Sequence, residues 1–420
     1  MSAQAQSSRI SPSGSAADAG FSDSGLRRID DHLRRVYLAP GKLAGTQTLV
    51  YRRGQVIYRS SLGLADRERN VPIKDDTIFR IYSMTKPITS VALMMLFEEG
   101  RVQLDDPVAK YIPEWANLGV FQAGISPLFL TKPPARPMQV VDLLRHTSGL
   151  TYGFQNRTNV DAAYRDNGIG VFEKAGTLDS WIADLARIPL EFSPGEAWNY
   201  SVSTDVVGYI VQKISGMPFE QFVKQRILDP LGMVDTDFHV PPAKAHRLAA
   251  CYAADGKGGM QLSDDPTTSS FLAPPDLISG GGGLVSTTDD YLTFCRALLN
   301  GGELGGVRLI GPKTLKLMTS NHLPGNRDLT ELSRSMFSEA TNAGIGFGLG
   351  FAINMNPALT LLPGTVGEYY WGGAASTAFW IDPAEELITI FMTQLLPSSA
   401  YPIRRELRTL VYGAMTESNV

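Results

Sequence analysis

The pattern of apolar positions predicts strands and helices at both ends of the chain, separated by a mostly helical stretch. Apolar residues at helical spacing predict an amphipathic helix over 26–36, and β-branched and aromatic residues predict an antiparallel hairpin over 48–51 and 55–58. Near the C-terminus, 377–381 and 387–393 flank a short polar turn and predict a second hairpin. The other elements expected in these two regions are a strand at 347–353 and helices at 291–299 and 403–415.

Residues 108–280 differ, because helical patterns there are joined by long connections rich in proline and glycine, with few strand signals. The helices expected in this stretch cover 138–146, 178–186, 206–215 and 219–228. This order predicts a fold of class α/β (α+β), in which an antiparallel β-sheet flanked by helices carries an inserted, mostly helical domain. We therefore expect a flexible N-terminal tail of 1–21, an α/β domain of 22–107 and 281–420, and a helical domain of 108–280.

Composition excludes several classes of function. The 420 residues carry a net charge of −4, which gives no basis for expecting nucleic acid as a partner. No stretch reaches the roughly 18 continuous apolar residues of a membrane span, and the first residues lack the apolar core of a secretory signal, so the expected location is cytoplasmic. Cys251 and Cys295 are the only cysteines, which argues against a disulfide framework. No ligand spacing indicates a metal or another cofactor, and nothing indicates the oligomeric state.

The strongest candidate nucleophile is Ser83, which Lys86 follows at a spacing of three residues. On a helix this spacing places both side chains on one face, one turn apart. Pro87 is tolerated only in the first turn, so the helix should begin close to Ser83. The following run, 88–97, is apolar nearly all round and predicts a buried helix. Alone, the motif also fits a capping serine before a surface lysine, so its meaning depends on the rest of the chain.

A nucleophilic serine needs a base, and the familiar choice is histidine. The histidines have positions typical of solvated or structural side chains: His32, His146, His239, His246 and His322. The chain has no G-x-S-x-G motif, which argues against an α/β-hydrolase. Lysine and tyrosine remain, because a lysine ammonium can lower the pKa of a hydroxyl or of a nearby phenol. Tyr200, on a loop before a helix expected to start near Ser203, is a suitable phenol, although a core tyrosine fits the same pattern.

A third candidate segment runs from Trp371 through Gly372 and Gly373 to Ala374, just before a predicted strand. Paired glycines let another backbone approach closely. An edge strand at a cleft can present N–H groups to a substrate oxygen, as acyl transfer requires, although a plain turn is the alternative. The glycine run 280–283 lacks the lysine of a P-loop, and we interpret it as a hinge between domains.

Taken in order, the segments 83–86, 200–202 and 371–373 resemble the motifs of the serine β-lactamase-like superfamily. The nearest likeness is to the family VIII carboxylesterases, which look like class C β-lactamases and D-Ala-D-Ala carboxypeptidases. The likeness spans about residues 22 to 416, with support from 143–150, 281–287 and 346–351. It implies a β-lactamase/transpeptidase-like fold and a serine hydrolase that needs no cofactor.

The resemblance also implies a role for each matching residue. Ser83 would be the acylated nucleophile, Lys86 would help to deprotonate it, and Tyr200 would be the general base. How the proton is shared between Lys86 and Tyr200 is left open. The backbone N–H groups of Ser83 and Ala374 would form the oxyanion hole. The substrate would be bound by Trp371, Gly372, Gly373 and Val202.

Two departures from the resembled motifs bear on the substrate. The third β-lactamase motif begins with a lysine that can bind a substrate carboxylate, and Trp371 stands in that place. The class C tyrosine motif ends in asparagine, where this chain has Val202. Both changes remove polar groups, so we expect a carboxylesterase acting on small, short-acyl esters. The alternatives are a β-lactamase or D-amino-acid peptidase, an acyltransferase using the same acyl-enzyme, and a catalytically silent binding protein on this scaffold.

Overall fold

A computed structural model describes residues 14–170, 176–334 and 343–420. Its strands are β1 (Gly45–Arg52), β2 (Gln55–Asp66), β3 (Val71–Pro72), β4 (Phe79–Arg80), β5 (Val120–Ile125), β6 (Leu128–Lys132), β7 (Cys251–Ala254), β8 (Met260–Asp264), β9 (Val285–Ser286), β10 (Glu303–Leu304), β11 (Val307–Arg308), β12 (Ile345–Phe347), β13 (Ala352–Asn354), β14 (Tyr369–Gly372), β15 (Ala378–Asp382), β16 (Leu387–Met392) and β17 (Leu395–Leu396).

Helices surround the largest sheet and fill most of the stretch between its two groups of strands. They are α1 (Asp23–His32), α2 (Thr85–Glu98), α3 (Val140–Leu144), α4 (Asn159–Asp166), α5 (Leu178–Leu185), α6 (Ser203–Ser215), α7 (Phe219–Val223), α8 (Asp229–Leu231), α9 (Thr288–Leu299), α10 (Pro312–Met318), α11 (Leu329–Leu332), α12 (Pro357–Thr360) and α13 (Ile403–Tyr412). Within the described ranges, none of these helices has the length and apolar character needed to cross a lipid bilayer.

The largest sheet is antiparallel throughout and takes strands from both ends of the chain. Its eight strands follow the order β12-β13-β14-β15-β16-β1-β2-β3. Gln47 of β1 lies opposite Met392 of β16 on one side and Ser61 of β2 on the other. The two predicted hairpins, β1–β2 and β15–β16, are therefore confirmed. The predicted class, an antiparallel sheet flanked by helices, is confirmed as well.

The single strand expected at 347–353 is wrong. Phe347 ends β12 and Ala352 begins β13, and Gly350 between them has a φ of 94°. Such a backbone conformation favours glycine and turns the chain back on itself. Leu349 and Phe351 are buried within this turn, so the apolar pattern continues across it and resembles one strand. Two further hairpins, β5–β6 and β7–β8, lie in the stretch where few strand signals were found.

The buried helix predicted after Ser83 is present. A short 3-10 turn, Tyr82–Met84, leads into α2, and Pro87 lies in the first turn of α2, where its missing N–H is harmless. Every residue of α2 from Thr85 to Leu96 is buried, so the helix passes through the core. It packs against α6, the helix that follows Tyr200.

The predicted N-terminal tail is described only in part, since residues 1–13 lie outside the described residues. After them, Ala16, Ala19 and Phe21 are buried, and Phe21 forms a bridge to Met415 beside the C-terminal helix. The chain therefore packs against its own C-terminal end before α1 begins. The division into domains at 108 and 280 stays a prediction.

Candidate active site

Ser83 lies at the point where the chain turns from a strand into the buried helix α2. The Ile81 N–H donates to the Leu284 carbonyl (3.1 Å), which holds the chain at the end of β4. Tyr82 then adopts a φ of 42°, an uncommon conformation for a large side chain that costs about 1–3 kcal/mol. The Tyr82 ring is buried edge-on against Phe271, with centroids 6.2 Å apart. This packing holds a sharp bend immediately before the candidate nucleophile.

The structure brings the three predicted proton-handling groups together. The Ser83 Oγ accepts hydrogen bonds from Lys86 Nζ at 3.1 Å and from the Tyr200 hydroxyl at 2.7 Å. Lys86 is 1% exposed, and its Nζ also donates to the Gly281 carbonyl at 2.7 Å. Because these distances lie within hydrogen-bonding range, a proton can move among the serine, lysine and tyrosine side chains without a carrier.

Aromatic rings surround the ring of Tyr200, which is 1% exposed. Its ring centroid lies 5.0 Å from that of His146, 5.2 Å from that of Tyr152 and 5.4 Å from that of Trp371. The Trp371 indole N–H donates to the Tyr200 hydroxyl at 3.3 Å. The Lys86 ammonium lies 4.6 Å from the Tyr200 ring centroid, a cation–π arrangement that adds to the stabilisation of this buried charge.

His146 is the histidine in ring contact with Tyr200, and its surroundings favour a structural role. Burial lowers its pKa well below the usual value, and the positive charge of Lys86 lowers it further. The imidazole is therefore neutral at pH 7, and its Nδ1 shares a hydrogen bond with the Ser201 hydroxyl at 3.1 Å. This agrees with the interpretation of the histidines as structural.

A buried acidic residue, Asp205, contacts the same glycine as Lys86 and was not identified from the sequence. Its Oδ1 accepts from the Ser279 hydroxyl (2.5 Å) and the Gly281 N–H (2.9 Å). Burial raises the pKa of Asp205, while the charge of Lys86 opposes that rise. The glycine run interpreted as a hinge thus contacts both Asp205 and Lys86, and its hinge role stays a prediction.

The two glycines after Trp371 admit two different neighbours. A Cβ at Gly373 would collide with the Ile81 carbonyl, and a Cβ at Gly372 would lie 2.6 Å from the guanidinium carbon of Arg404. The close approach expected of paired glycines is therefore present. Ala374 follows in the turn to β15 and is partly exposed.

Val202 and Gln155 complete the surroundings of the tyrosine loop. Val202 is buried, and its N–H donates to the Thr151 carbonyl (3.2 Å), so its contact with substrate stays a prediction. Gln155 was not identified from the sequence, yet its side-chain amide donates to the Tyr200 carbonyl at 2.5 Å. No local pattern marks a glutamine for this role, because the contact depends on the fold of a distant loop.

The site combines a hydroxyl, two groups able to exchange its proton, and a closely packed strand end. Acyl transfer to and from a serine requires groups of these kinds. Among the residues that the structure describes, no group of three or more His, Cys, Asp or Glu side chains is arranged to hold a metal ion.

Comparisons with known proteins cover nearly the whole chain. Protein Rv1367c of Mycobacterium tuberculosis is 37% identical over 361 residues, which cover 85% of this chain and 87% of that protein. Esterase EstB of Burkholderia gladioli is 29% identical over 394 residues, covering 89% and 91% respectively. A solved structure described as EstCE1, a hydrolase with promiscuous acyltransferase activity, superposes with a TM-score of 0.77 at 25% identity, covering 93% of this chain and 99% of that one. The Beta-lactamase family model matches residues 31–413, so the chain belongs to the Beta-lactamase family and has its β-lactamase/transpeptidase-like fold.

Proposed function

We propose that this protein is a serine carboxylesterase that hydrolyses small, short-acyl esters through an acyl-enzyme on Ser83. The observation that carries the proposal is the pair of hydrogen bonds at Ser83 Oγ, one from Lys86 Nζ at 3.1 Å and one from the Tyr200 hydroxyl at 2.7 Å. The similarity to Esterase EstB over 89% of the chain supports an ester as substrate.

Acylation begins when the Lys86–Tyr200 pair, holding one proton fewer than an ammonium and a phenol together, takes the proton of the Ser83 hydroxyl. The Oγ forms a bond to the ester carbonyl carbon, and the carbonyl electron pair moves onto the oxygen. The backbone N–H groups of Ser83 and Ala374 donate to that oxyanion. When the tetrahedral species collapses, the bond to the alcohol oxygen breaks, and the alcohol leaves with the proton that the pair had taken.

Deacylation repeats the sequence with water as the nucleophile. The Lys86–Tyr200 pair takes a proton from the water, whose oxygen forms a bond to the acyl carbon. The oxyanion forms again between the same two N–H groups. The bond to Ser83 Oγ then breaks, the serine recovers its proton from the pair, and the carboxylic acid leaves.

The surroundings of the tyrosine favour an uncharged substrate. Trp371 occupies the position of the β-lactamase lysine, and its indole N–H donates to the Tyr200 hydroxyl. Tyr152 stacks on Phe154 with centroids 4.7 Å apart, and Phe154 is 40% exposed. A wall of aromatic rings provides apolar contact to an acyl chain but no charge for the carboxylate of a β-lactam.

Rates on p-nitrophenyl esters of graded acyl length, measured beside nitrocefin, test the proposal. We expect acetate and butyrate to be turned over faster than nitrocefin, and Ser83→Ala to lose at least about 10³-fold of the ester rate. A fluorophosphonate should label the wild type and leave Ser83→Ala unlabelled. Wild-type rates in Ser83→Ala would refute the mechanism, and nitrocefin turnover above ester turnover would favour a β-lactamase.

Acyl transfer to an alcohol is a second candidate, because the structural relative EstCE1 is described as having acyltransferase activity. In this case an alcohol replaces water in the second half of the reaction and leaves as a new ester. Adding a short primary alcohol and measuring the ratio of new ester to acid separates the two outcomes. A ratio that rises with alcohol concentration supports transfer, and acid alone supports hydrolysis.

A further inference from the structure

Arg404, in the first turn of α13, reaches the back of the turn that follows β14. Its Nη2 donates to the Gly373 carbonyl at 2.6 Å and to the Thr377 carbonyl at 2.8 Å. The same two carbonyls close the turn from within. The Gly373 N–H donates to Thr377 O (2.9 Å), and the Ser376 N–H donates to Gly373 O (3.1 Å). One guanidinium nitrogen therefore fixes both acceptors of this turn.

The Gly373 carbonyl and the Ala374 N–H belong to the same peptide group. A charged donor on a peptide carbonyl draws electron density from the nitrogen, which makes the N–H on the other side a stronger donor. It also fixes the peptide plane, because the group is rigid. A guanidinium on Gly373 O thus acts on the N–H that faces the opposite way.

The glycine at position 372 makes room for the Arg404 guanidinium. A Cβ at position 372 would lie 2.6 Å from the guanidinium carbon and 2.7 Å from Nη2 of Arg404. Glycine at that position leaves the space that the guanidinium occupies. Trp371, one residue earlier, contacts Tyr200 instead, so the two residues serve different parts of the site.

We propose that Arg404 is a positioning residue for the oxyanion hole: it orients and polarises the Gly373–Ala374 peptide, whose N–H receives the developing charge. The inference rests on the proposed function, since this N–H matters only if an ester oxygen binds there. Arg404 itself does not touch the substrate. Its positive charge lies behind the peptide, where it favours the transition state more than the bound ester.

The test compares Arg404→Met and Arg404→Lys with Arg405→Met, which removes a guanidinium from the same helical turn without affecting either carbonyl. The readouts are kcat and KM for p-nitrophenyl butyrate, the inhibition constant of an alkyl boronic acid, and the melting temperature. The boronate adds to the serine and places a tetrahedral oxygen in the oxyanion hole.

For Arg404→Met we expect kcat to fall about 10- to 100-fold, with KM changed less than about threefold, because the donor is weakened but still present. The boronate inhibition constant should rise by the same factor as kcat falls. Arg404→Lys should lie between wild type and Arg404→Met, since an ammonium keeps the charge but loses the planar fork. Arg405→Met should match the wild type in all three readouts.

Unchanged kcat and boronate inhibition in Arg404→Met would overturn the proposal, as would a loss of kcat without a matching loss of boronate binding. If Arg404→Met does not fold, Arg404→Lys decides: weaker boronate binding by folded protein supports the proposal, and wild-type binding overturns it. Failure of the proposed function is distinct, because then the wild type itself would show no Ser83-dependent ester turnover.

Discussion

The two sides of Ser83 differ in the kind of chemical group that they present, ionisable side chains on one side and main chain on the other. We call Lys86, Tyr200 and Asp205 the proton side, and residues 372–374 with Arg404 the oxyanion side. The proton side consists of ionisable side chains shielded from water, all three of them 5% exposed or less. The oxyanion side, named for its proposed role, consists of main chain, and the Arg404 guanidinium donates to its carbonyl at Gly373. Chemistry on the first side depends on which group holds a proton, and on the second side it depends on where a peptide group lies.

One glycine on each side shows the difference, because an added Cβ would meet different kinds of atom at the two positions. A Cβ at Gly281 on the proton side would meet the Asp205 Oδ2, and a Cβ at Gly373 on the oxyanion side would meet both the Thr377 Oγ1 and the Ile81 carbonyl. Both approaches are closer than real Cβ contacts allow. A carboxylate can turn about its side-chain bonds, whereas a carbonyl at the end of a strand moves only with its backbone. The proton side should therefore tolerate added bulk better than added or removed charge.

Among changes to these two sides of Ser83, the largest effect should come from removing the hydroxyl of Tyr200. Tyr200→Phe keeps the ring contacts with His146 and Trp371 but takes away the group that bonds to Ser83 Oγ. We expect kcat/KM for p-nitrophenyl butyrate to fall about 10²- to 10⁴-fold, the usual contribution of a general base. Stopped-flow acylation measures the step directly.

The matched control is Tyr209→Phe, which removes a hydroxyl from α6 that donates to Asp179 at 2.9 Å, away from Ser83. This variant should acylate at the wild-type rate. A Tyr200→Phe enzyme that kept its acylation rate would assign the base function to Lys86 alone.

An intermediate effect should separate the two glycines. Gly373→Ala should lower kcat/KM about 10- to 100-fold, because the strand end must shift away from Ile81 and takes the Ala374 N–H with it. Gly281→Ala should lose less than about tenfold, since Asp205 can turn aside at the cost of about 1–3 kcal/mol of stability. Kinetics and thermal melts of both variants provide the comparison. Equal catalytic losses would contradict the distinction between side-chain and main-chain neighbours.

The smallest effect concerns the pH dependence of stability at Asp205. Its pKa is raised by burial in the folded protein, so the folded state holds this proton more tightly than the unfolded chain, whose value is about 3.9. The associated stability is present at low pH and is lost as pH rises through the folded pKa. Asp205→Asn removes this loss, so the melting temperature of the variant relative to wild type should increase by a few degrees from about pH 4 upward.

Asp179→Asn is the control with the opposite sign, because its bond to Lys213 lowers the pKa of Asp179. There the carboxylate contributes stability that is present above the unfolded value of about 3.9 and is lost as pH falls below it, so the variant should be less stable than wild type above about pH 4 and approach it at lower pH. Thermal unfolding between about pH 2.5 and 8 measures both slopes, with that of Asp179→Asn below about pH 4 and that of Asp205→Asn above it. If the difference in melting temperature between Asp205→Asn and wild type did not change with pH, the pKa of Asp205 would be the same in the folded and unfolded states.

The parts of the site that could be predicted are those indicated by the local spacing of residues or by the order of short motifs. Ser83 and Lys86 lie one helical turn apart, and Pro87 marks where that helix starts, so these positions follow from the sequence alone. The acceptor for Lys86 is a main-chain carbonyl 195 residues later, at Gly281, and a carbonyl has no residue type that could reveal it. Arg404 was missed for the same reason, because its acceptors at Gly373 and Thr377 are main-chain carbonyls.

The fold shows the same limit. β-Branched and aromatic residues identified β1 and β2, and two segments flanking a polar turn identified β15 and β16. Most residues of these four strands are buried or partly buried. The hairpin β5–β6 was missed because its strands are largely exposed, with Ile125 at 68% and Leu128 at 79%, so no burial pattern marks them. A buried strand requires apolar residues that can be recognised in the sequence. An exposed strand held by backbone pairing does not require them.

The central position of β1 has a consequence for biosynthesis. β1 leaves the ribosome early, but Gln47 must pair with Met392, close to the other end of the chain. At about 5–20 residues per second, β1 waits on the order of tens of seconds with one edge open. An open edge can pair with other nascent chains, so this interval is when the protein is most exposed to aggregation. The sheet cannot close until β16 has been synthesised, so a message truncated before β16 should yield insoluble product instead of a shortened catalyst.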